Sequence, residues 1–242
     1  MRKSFIRNTP FLLRSSLMVL LFSTLSTTHA HAEMNRVYHP YVEQGERELE
    51  YGFTLRDAGG ENLLLNRAGF GYAWNDKLFT EVYLLTESIT HEGEQIRGYE
   101  FEAKWQLTEQ GEYWADWGLL LEAGTAKDIN SHEFALGLLW EKELASRWVA
   151  TANAIAEYEY GSDIKDEFET ALRAQFRYRY SAAFEPALEL YLDDQDWAAG
   201  PAVMGIVKLS GRKQLRWELG VLFGLDDDTP ENNLRGAIEF EF

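Results

Sequence analysis

Three histidines outside the first 32 residues, His39, His91 and His132, are the side chains best suited to acid–base catalysis. A serine nucleophile must lie within hydrogen-bonding distance of such a base. Only His132 follows a serine, Ser131, and neighbouring side chains on a strand point to opposite faces, so the two cannot pair in regular β structure. His39 and His91 have no serine or acid at a spacing typical of a catalytic pair. The sequence therefore predicts no enzyme, no cofactor and no dedicated metal site, and treats these histidines as surface or loop residues.

The balance of charge is strongly acidic, with 40 Asp and Glu against 23 Lys and Arg. The first 32 residues hold four of those bases and no acid, so the remainder carries a net charge of about −21. Nucleic acid is therefore an improbable partner, because nucleic-acid binding needs a basic surface. The chain has no cysteine, which excludes a disulfide framework.

The N-terminus has the features of a secretory signal peptide. Basic residues precede an apolar run from Leu17 to Phe22, and the sequence Ala30-His31-Ala32 provides small residues at the cleavage positions. The run is far shorter than the roughly 20 residues of a membrane-spanning helix. We expect residues 1–32 to be removed and the exported chain to begin at Glu33.

From Glu48 onward, apolar and polar residues alternate with a period of two, which is the period of a β-strand. The segment 99–107 is a clear case, since its odd-numbered residues are aromatic or apolar and its even-numbered residues are polar. The longest such segment is 167–180, and a helical period fits neither. We predict strands at roughly 47–56, 63–74, 78–87, 99–107, 114–125, 132–142, 147–160, 167–180, 184–192, 200–209, 214–224 and 233–242.

Twelve strands of this kind predict an all-β protein, a transmembrane antiparallel up-and-down β-barrel with both termini periplasmic. Lipid offers no hydrogen-bond partner to an open sheet edge, so membrane strands must close into a barrel, usually of even strand number. Ten or fourteen strands remain open, and a soluble β-sandwich is the weaker alternative. The predicted domains are the signal peptide at 1–32, a short periplasmic leader at 33–46 and the barrel at 47–242, with short periplasmic turns and longer external loops.

The end of the chain carries a resemblance to a known group of proteins. Residues 234–242 alternate apolar and polar and finish on Phe242. This segment resembles the last strand of Gram-negative outer-membrane barrels, and the resemblance implies that the barrel-assembly machinery recognises Ile238, Phe240 and Phe242. It also implies a bacterial outer membrane, with lipid and lipopolysaccharide as partners. The chain is similar in size to small monomeric channels, including channels for acidic oligosaccharides, yet those would be expected to have a basic lumen.

The polar strand faces predict an acidic barrel interior that contains one basic column, Arg173, Arg177 and Arg179. We expect Arg179 to face Glu185, with Arg177 reaching Glu185 or Glu189 diagonally. Two interpretations remain open: a basic column that orients a polar solute against an acidic wall, or a salt-bridge network that fills a narrow barrel. The acidic wall comprises Glu157, Glu169, Glu185 and Glu189.

Closure of the barrel should also gather four acids at the periplasmic mouth. These acids are Glu48, Glu50, Glu239 and Glu241, which would bind a cation, share protons or form a solvated rim. An acidic lumen favours cations. The sequence therefore predicts a porin-like channel for small polar or cationic solutes. The alternative is an occluded barrel that acts as a structural or interaction module of the outer membrane.

Overall fold

The computed structural model describes residues 36–58, 61–90, 93–194, 196–226 and 229–242. The predicted signal peptide, the first residues of the predicted leader, and His91 lie outside the described residues. Within the described part of the chain, no helix is long and apolar enough to cross a membrane.

The described residues form twelve β-strands, and their bounds agree with the predicted strands to within four residues. In chain order the strands are β1 (Arg47–Ala58), β2 (Glu61–Ala73), β3 (Leu78–Ile89), β4 (Gln95–Gln106), β5 (Asp116–Ala126), β6 (His132–Ala145), β7 (Trp148–Tyr160), β8 (Glu167–Tyr178), β9 (Glu185–Asp193), β10 (Trp197–Lys208), β11 (Gln214–Gly224) and β12 (Asn232–Glu241).

The strands form one closed antiparallel barrel in which each strand pairs with its neighbours in sequence and β1 pairs with β12. The predicted all-β, up-and-down architecture is therefore confirmed. The backbone N–H of Phe242 donates a hydrogen bond of 2.8 Å to the carbonyl of Arg47, which joins the last strand to the first. We call the end of the barrel where β1 begins and β12 ends the terminal end, and the opposite end the distal end.

The outer surface of the barrel is apolar and rich in aromatic rings. Exposed rings near the terminal end include Trp74, Trp105 and Trp148, and rings near the distal end include Phe134 and Tyr160. Aromatic residues favour the interface between hydrocarbon and water. This surface is therefore suited to contact with lipid, as the alternation predicted.

The connections differ from the expected pattern of short turns at one end and longer loops at the other. The longest connection, residues 107–115, lies at the terminal end, where only short turns were expected. Asp116 folds this loop, because its Oδ1 accepts a hydrogen bond of 2.8 Å from the N–H of Gly111. The hydroxyl of Thr108 likewise accepts one of 2.9 Å from the N–H of Trp117.

Pro201, which we expected near a strand start, lies within β10. Proline has no N–H to contribute to a β ladder. The adjacent Gly200 lies so close to β11 that a Cβ there would be 1.9 Å from the carbonyl oxygen of Val221. At these two residues β10 approaches β11 closely, and the pairing of the two strands is interrupted after Ala199 and resumes at Ala202.

Candidate functional site: the barrel lumen

The lumen contains part of the chain itself, from the segment 36–46 that we call the N-terminal segment. Residues 36–42 lie in the lumen, and residues 43–45 are exposed at the terminal end. Its Tyr38 N–H donates a hydrogen bond of 2.7 Å to Oδ1 of Asn153, and Nδ2 of Asn153 donates one of 2.9 Å to the Tyr38 carbonyl. Asn153 is fully buried on β7. The structure differs from the expected periplasmic leader over residues 33–46, because residues 36–42 lie inside the barrel.

Apolar packing explains why this segment enters the lumen. Its apolar side chains meet apolar side chains on the inner wall, so the interior is less uniformly polar than the sequence predicted. Val37 packs with Tyr191, Ala198 and Leu222, Tyr38 packs with Leu120 and Leu139, and Val42 packs with Ala73 and Phe79. Burial of such groups favours the docked segment by roughly 25 cal/mol per Å² of apolar area.

Polar contacts fix the position of the N-terminal segment. The guanidinium of Arg36 bonds to Glu50 and lies 2.9 Å from Oε1 of Glu239. The Tyr41 hydroxyl donates to Asp116 at 2.8 Å, and Nδ1 of His39 lies 2.5 Å from Oε2 of Glu141. The segment is thus bound to several strands on different sides of the lumen.

Seven inward glutamates form a continuous row along the hydrogen-bonded register of the wall, which we call the acid row. Each of these side chains is at most 9% exposed. At the corresponding register positions β2 has Gly71 and β6 has Ala135, so these two strands contribute no charge to the row. In register order the members are Glu241, Glu48, Glu81, Glu102, Glu122, Glu157 and Glu169.

The acid row runs from one end of the barrel to the other. Glu48 is the second residue of β1 at the terminal end, whereas Glu169 is the third residue of β8 at the distal end. Strands in a barrel tilt against the axis, so a line drawn along the register climbs as it winds around the wall. Neighbouring strands are about 4.8 Å apart, which sets the backbone spacing between members of the row on adjacent strands. The spacing doubles at Gly71 and Ala135, where a strand without an acid intervenes.

Tyr38 covers the middle of this row. Its hydroxyl lies 3.0 Å from Oε2 of Glu102 and 2.9 Å from Oε1 of Glu122. The guanidinium of Arg67 also reaches Glu102, at 3.4 Å. The N-terminal segment therefore occupies the lumen at the point where the row crosses from β4 to β5.

The basic column of β8 is only partly as predicted. Arg177 pairs with Glu185 at 3.0 Å, as expected, and also lies 3.7 Å from Glu141. Arg179 pairs with Glu143 at 2.9 Å and not with Glu185, because β8 ends at Tyr178 and the chain then turns toward the β6–β7 rim. Arg173 lies deeper, with its guanidinium 6.0 Å from the ring of Tyr38.

The four glutamates of the predicted acidic wall do not act together, because they contact different residues. Glu189 does not pair with Arg177; it pairs with Arg235 on β12, which is fully buried and also contacts Glu218 at 2.7 Å. Glu157 and Glu169 are adjacent in the register of β7 and β8 and belong to the acid row.

The four predicted mouth acids lie together at the terminal end. Glu48 faces Glu241 and Glu50 faces Glu239 in the register of β1 and β12. Three of them have basic partners: Arg36 contacts Glu50 and Glu239, and Arg216 contacts Glu241 at 2.8 Å. Of the predicted assembly signal, Ile238 and Phe240 lie near the end of β12 and Phe242 directly follows the strand. The rings of Phe240 and Phe242 stack with centroids 5.6 Å apart.

The structure adds interior residues that sequence reasoning missed. Arg67 on β2 is 3% exposed and contacts Glu50 at 3.2 Å. Leu64, Ala68 and Phe70 occupy the opposite face of β2, so the alternation in the sequence was sufficient to predict that Arg67 points inward. Arg36 had no such signal, because no strand period extends to residue 36. Lys208 alternates with the inward Ala202 and Met204, which would place it in the lumen, but it is exposed at the end of β10.

The histidines have ordinary structural partners. His132 packs its ring against Tyr160, with centroids 5.5 Å apart, and Ser131 is buried. His39, expected in an exposed leader, instead contacts Glu141, whose Oε2 also accepts a hydrogen bond of 3.0 Å from Thr151.

Solved structures share this architecture. The KdgM porin in complex with disordered oligogalacturonate matches with a TM-score of 0.55 and 10% identity over 81% of this chain and 99% of that one. The COG4313 outer membrane channel from Pseudomonas putida F1 matches with a TM-score of 0.61 and 13% identity over 86% and 99%. The NanC porin gives 0.53 and 12% over 80% and 100%.

The fold is that of small outer-membrane barrels. The beta domain of the Bordetella autotransporter BrkA has a similar TM-score, 0.54, at 13% identity. No protein-family model and no curated protein sequence matches the chain.

Proposed function

We propose that this chain forms a porin-like channel in the bacterial outer membrane for small polar or cationic solutes. The observation that carries the proposal is the acid row, which runs along the inner wall from the terminal end to the distal end. The apolar, aromatic outer surface and the shared fold support a location in an outer membrane.

Cations are favoured because rings or rows of carboxylates lower the energy of a cation in a narrow passage and raise that of an anion. The oligogalacturonate bound by the KdgM porin is a polyanion. We do not extend that ligand to this chain, because an acidic wall would repel it.

The passage is small because the N-terminal segment shares the lumen. A barrel of about eight strands is filled by its own side chains, whereas 16–18 strands leave an open channel. Twelve strands leave room for one extended segment, and Tyr38 narrows the path at Glu102 and Glu122. We therefore expect passage of ions and small solutes, with the segment as the main constriction.

The remaining expectations from the sequence are part of the proposal. We propose a Gram-negative host, removal of residues 1–32 on export, recognition of Ile238, Phe240 and Phe242 by the barrel-assembly machinery, and contact with lipid and lipopolysaccharide. We propose no catalytic role. In the described part of the chain, His39 contacts Glu141 and His132 packs on Tyr160, and neither contact brings a serine nucleophile to the ring.

The test is single-channel conductance of the refolded protein in planar bilayers. We expect discrete conductance steps, and the variant E102Q/E122Q should reduce cation preference because it removes two adjacent charges from the acid row. The exposed loop acids Glu109 and Glu112 provide the matched control E109Q/E112Q, which removes the same charge outside the lumen. A folded protein without conductance would favour the occluded barrel and contradict the proposal.

A further inference from the structure

Two buried acids near the terminal end have no basic partner. Glu48 on β1 is 6% exposed and Glu81 on β3 is 2% exposed. Among the described residues neither forms an ion pair with a base, and Oε1 of Glu81 accepts no hydrogen bond. By contrast, the neighbouring Glu50 contacts both Arg36 and Arg67.

Glycines on the intervening strand bring these acids together. In the register, Gly71 of β2 faces Glu48 on one side and Glu81 on the other. A Cβ at Gly71 would lie 2.9 Å from Cγ of Glu48, and a Cβ at Gly69 would lie 2.7 Å from Oε1 of Glu81. The two glutamates share the space that side chains of β2 would fill with the rings of Phe79 and Tyr83, which would lie 2.2 Å and 2.4 Å from those Cβ positions.

The carboxylates converge on one point. One oxygen from each of Glu48, Glu50 and Glu81 lies within 4.8 Å of the others. Buried carboxylates at this separation repel each other strongly unless a proton or a cation intervenes. The nearby guanidinium groups are already engaged, Arg36 with Glu50 and Glu239, and Arg67 with Glu50 and Glu102.

We propose that Glu48 and Glu81, with Glu50 as a third ligand, bind one divalent cation of the Ca²⁺ type. Ca²⁺ takes hard oxygen ligands at about 2.3–2.6 Å, so two of its ligands can be up to about 5 Å apart, which accommodates the observed convergence. Carboxylates that bind in bidentate fashion, together with water, complete its coordination. The Tyr83 hydroxyl, 3.2 Å from Oε2 of Glu50, orients the third ligand.

The bound cation would also stabilise the end of the N-terminal segment that joins β1. Glu48 belongs to a second group of converging carboxylates, with Glu46 and Glu241. Glu46 is the last residue before β1, where the segment leaves the lumen. A cation at Glu48 therefore lowers the repulsion along the terminal end of the acid row and favours the docked segment.

Terbium luminescence tests the site, because Tb³⁺ replaces Ca²⁺ and is sensitised by a nearby ring such as that of Tyr83. The refolded barrel in detergent is stripped with chelator and titrated with TbCl₃ in buffered KCl, then with CaCl₂. We expect saturable binding of one ion per barrel that Ca²⁺ reverses. E81Q should weaken binding by more than about tenfold, and E48Q/E81Q should abolish it.

The control E109Q/E112Q loses the same charge at exposed loop positions and should bind as the wild type does. Heat-modifiable migration in SDS gels verifies that each variant is folded, and E48Q alone serves as a second variant if E81Q does not fold. Absence of saturable binding, or equal affinity in folded E48Q/E81Q, would overturn the proposal. The measurement needs no current through the barrel, so its outcome is independent of the channel proposal.

Discussion

At the scale of single residues, the interior of this barrel depends on arginines that neutralise inward acids. Arg235 is the extreme case, because it is fully buried between Glu189 and Glu218 and its guanidinium lies 5.9 Å from the ring of Tyr191. Desolvation of a charge is costly, so each ion requires its partner. Removal of Arg235 leaves Glu189 buried without its base.

We therefore expect Arg235→Met to destabilise the barrel by about 3–5 kcal/mol, because Glu189 loses its base in a buried site. Urea-dependent folding into lipid vesicles measures the free energy of unfolding. Arg235→Lys is the control and should recover part of the loss, since it keeps the charge but not the paired geometry. An unchanged free energy of unfolding in Arg235→Met would show that the ion pairs of Arg235 do not contribute to stability.

Arg177 and Arg179 separate the two interpretations of the basic column. Both are ion-paired at the terminal end, with Glu185 and Glu143. The Arg179 side chain is 31% exposed, so its replacement by alanine should cost about 1 kcal/mol. The Arg177 side chain is 15% exposed, so its replacement should cost more. We expect the double variant to unfold at a lower temperature while its conductance stays close to that of the wild type. A large change in conductance with unchanged stability would instead favour a column that orients solutes.

The alternation of side chains explains how much of this network was accessible from sequence. The period of two places an acid or a base inside the barrel wherever its neighbours are aromatic, and Glu48, Glu102 and Arg173 followed from it. Pairing required more information. Arg179 pairs with Glu143 because β8 ends at Tyr178, one residue before it. The end of a strand is predicted less accurately from sequence than its centre.

At the scale of elements, the main departure from expectation is the N-terminal segment. Its residues have no strand period, so a short leader outside the barrel was the simplest expectation. The sequence of the barrel wall did not indicate a docked segment either, since the inward Leu120 and Leu139 look like ordinary breaks in the alternation. They are apolar because Tyr38 packs on them, a contact between residues more than 80 positions apart that no local pattern encodes.

Deletion of residues 33–44 should raise conductance, because it removes Tyr38 and its neighbours from the lumen while leaving β1 complete. Planar-bilayer recording of the refolded barrel measures the change. The variant Y38F is a matched control that keeps the ring but loses the hydroxyl between Glu102 and Glu122, and its effect should be smaller. Equal conductance in the deletion variant and the wild type would mean that the segment does not limit the passage.

At the scale of the whole molecule, twelve strands and their order were predictable, because each strand repeats the same alternation and closure is required in lipid. The acid row was not, since it depends on the register across nine strands, from β12 through β1 to β8, and on the shear of the closed barrel. A chain with 40 acids and 23 bases thus places seven of its glutamates along one path on the inner wall.

The reversal potential of the refolded wild-type channel in a KCl gradient tests the central claim most directly. Because the acid row spans the lumen from end to end, we predict a reversal potential of the sign expected for K⁺ permeation, and a smaller value in E102Q/E122Q. A reversal potential of the opposite sign, which indicates preference for Cl⁻, would contradict the assignment of the acid row to cation passage.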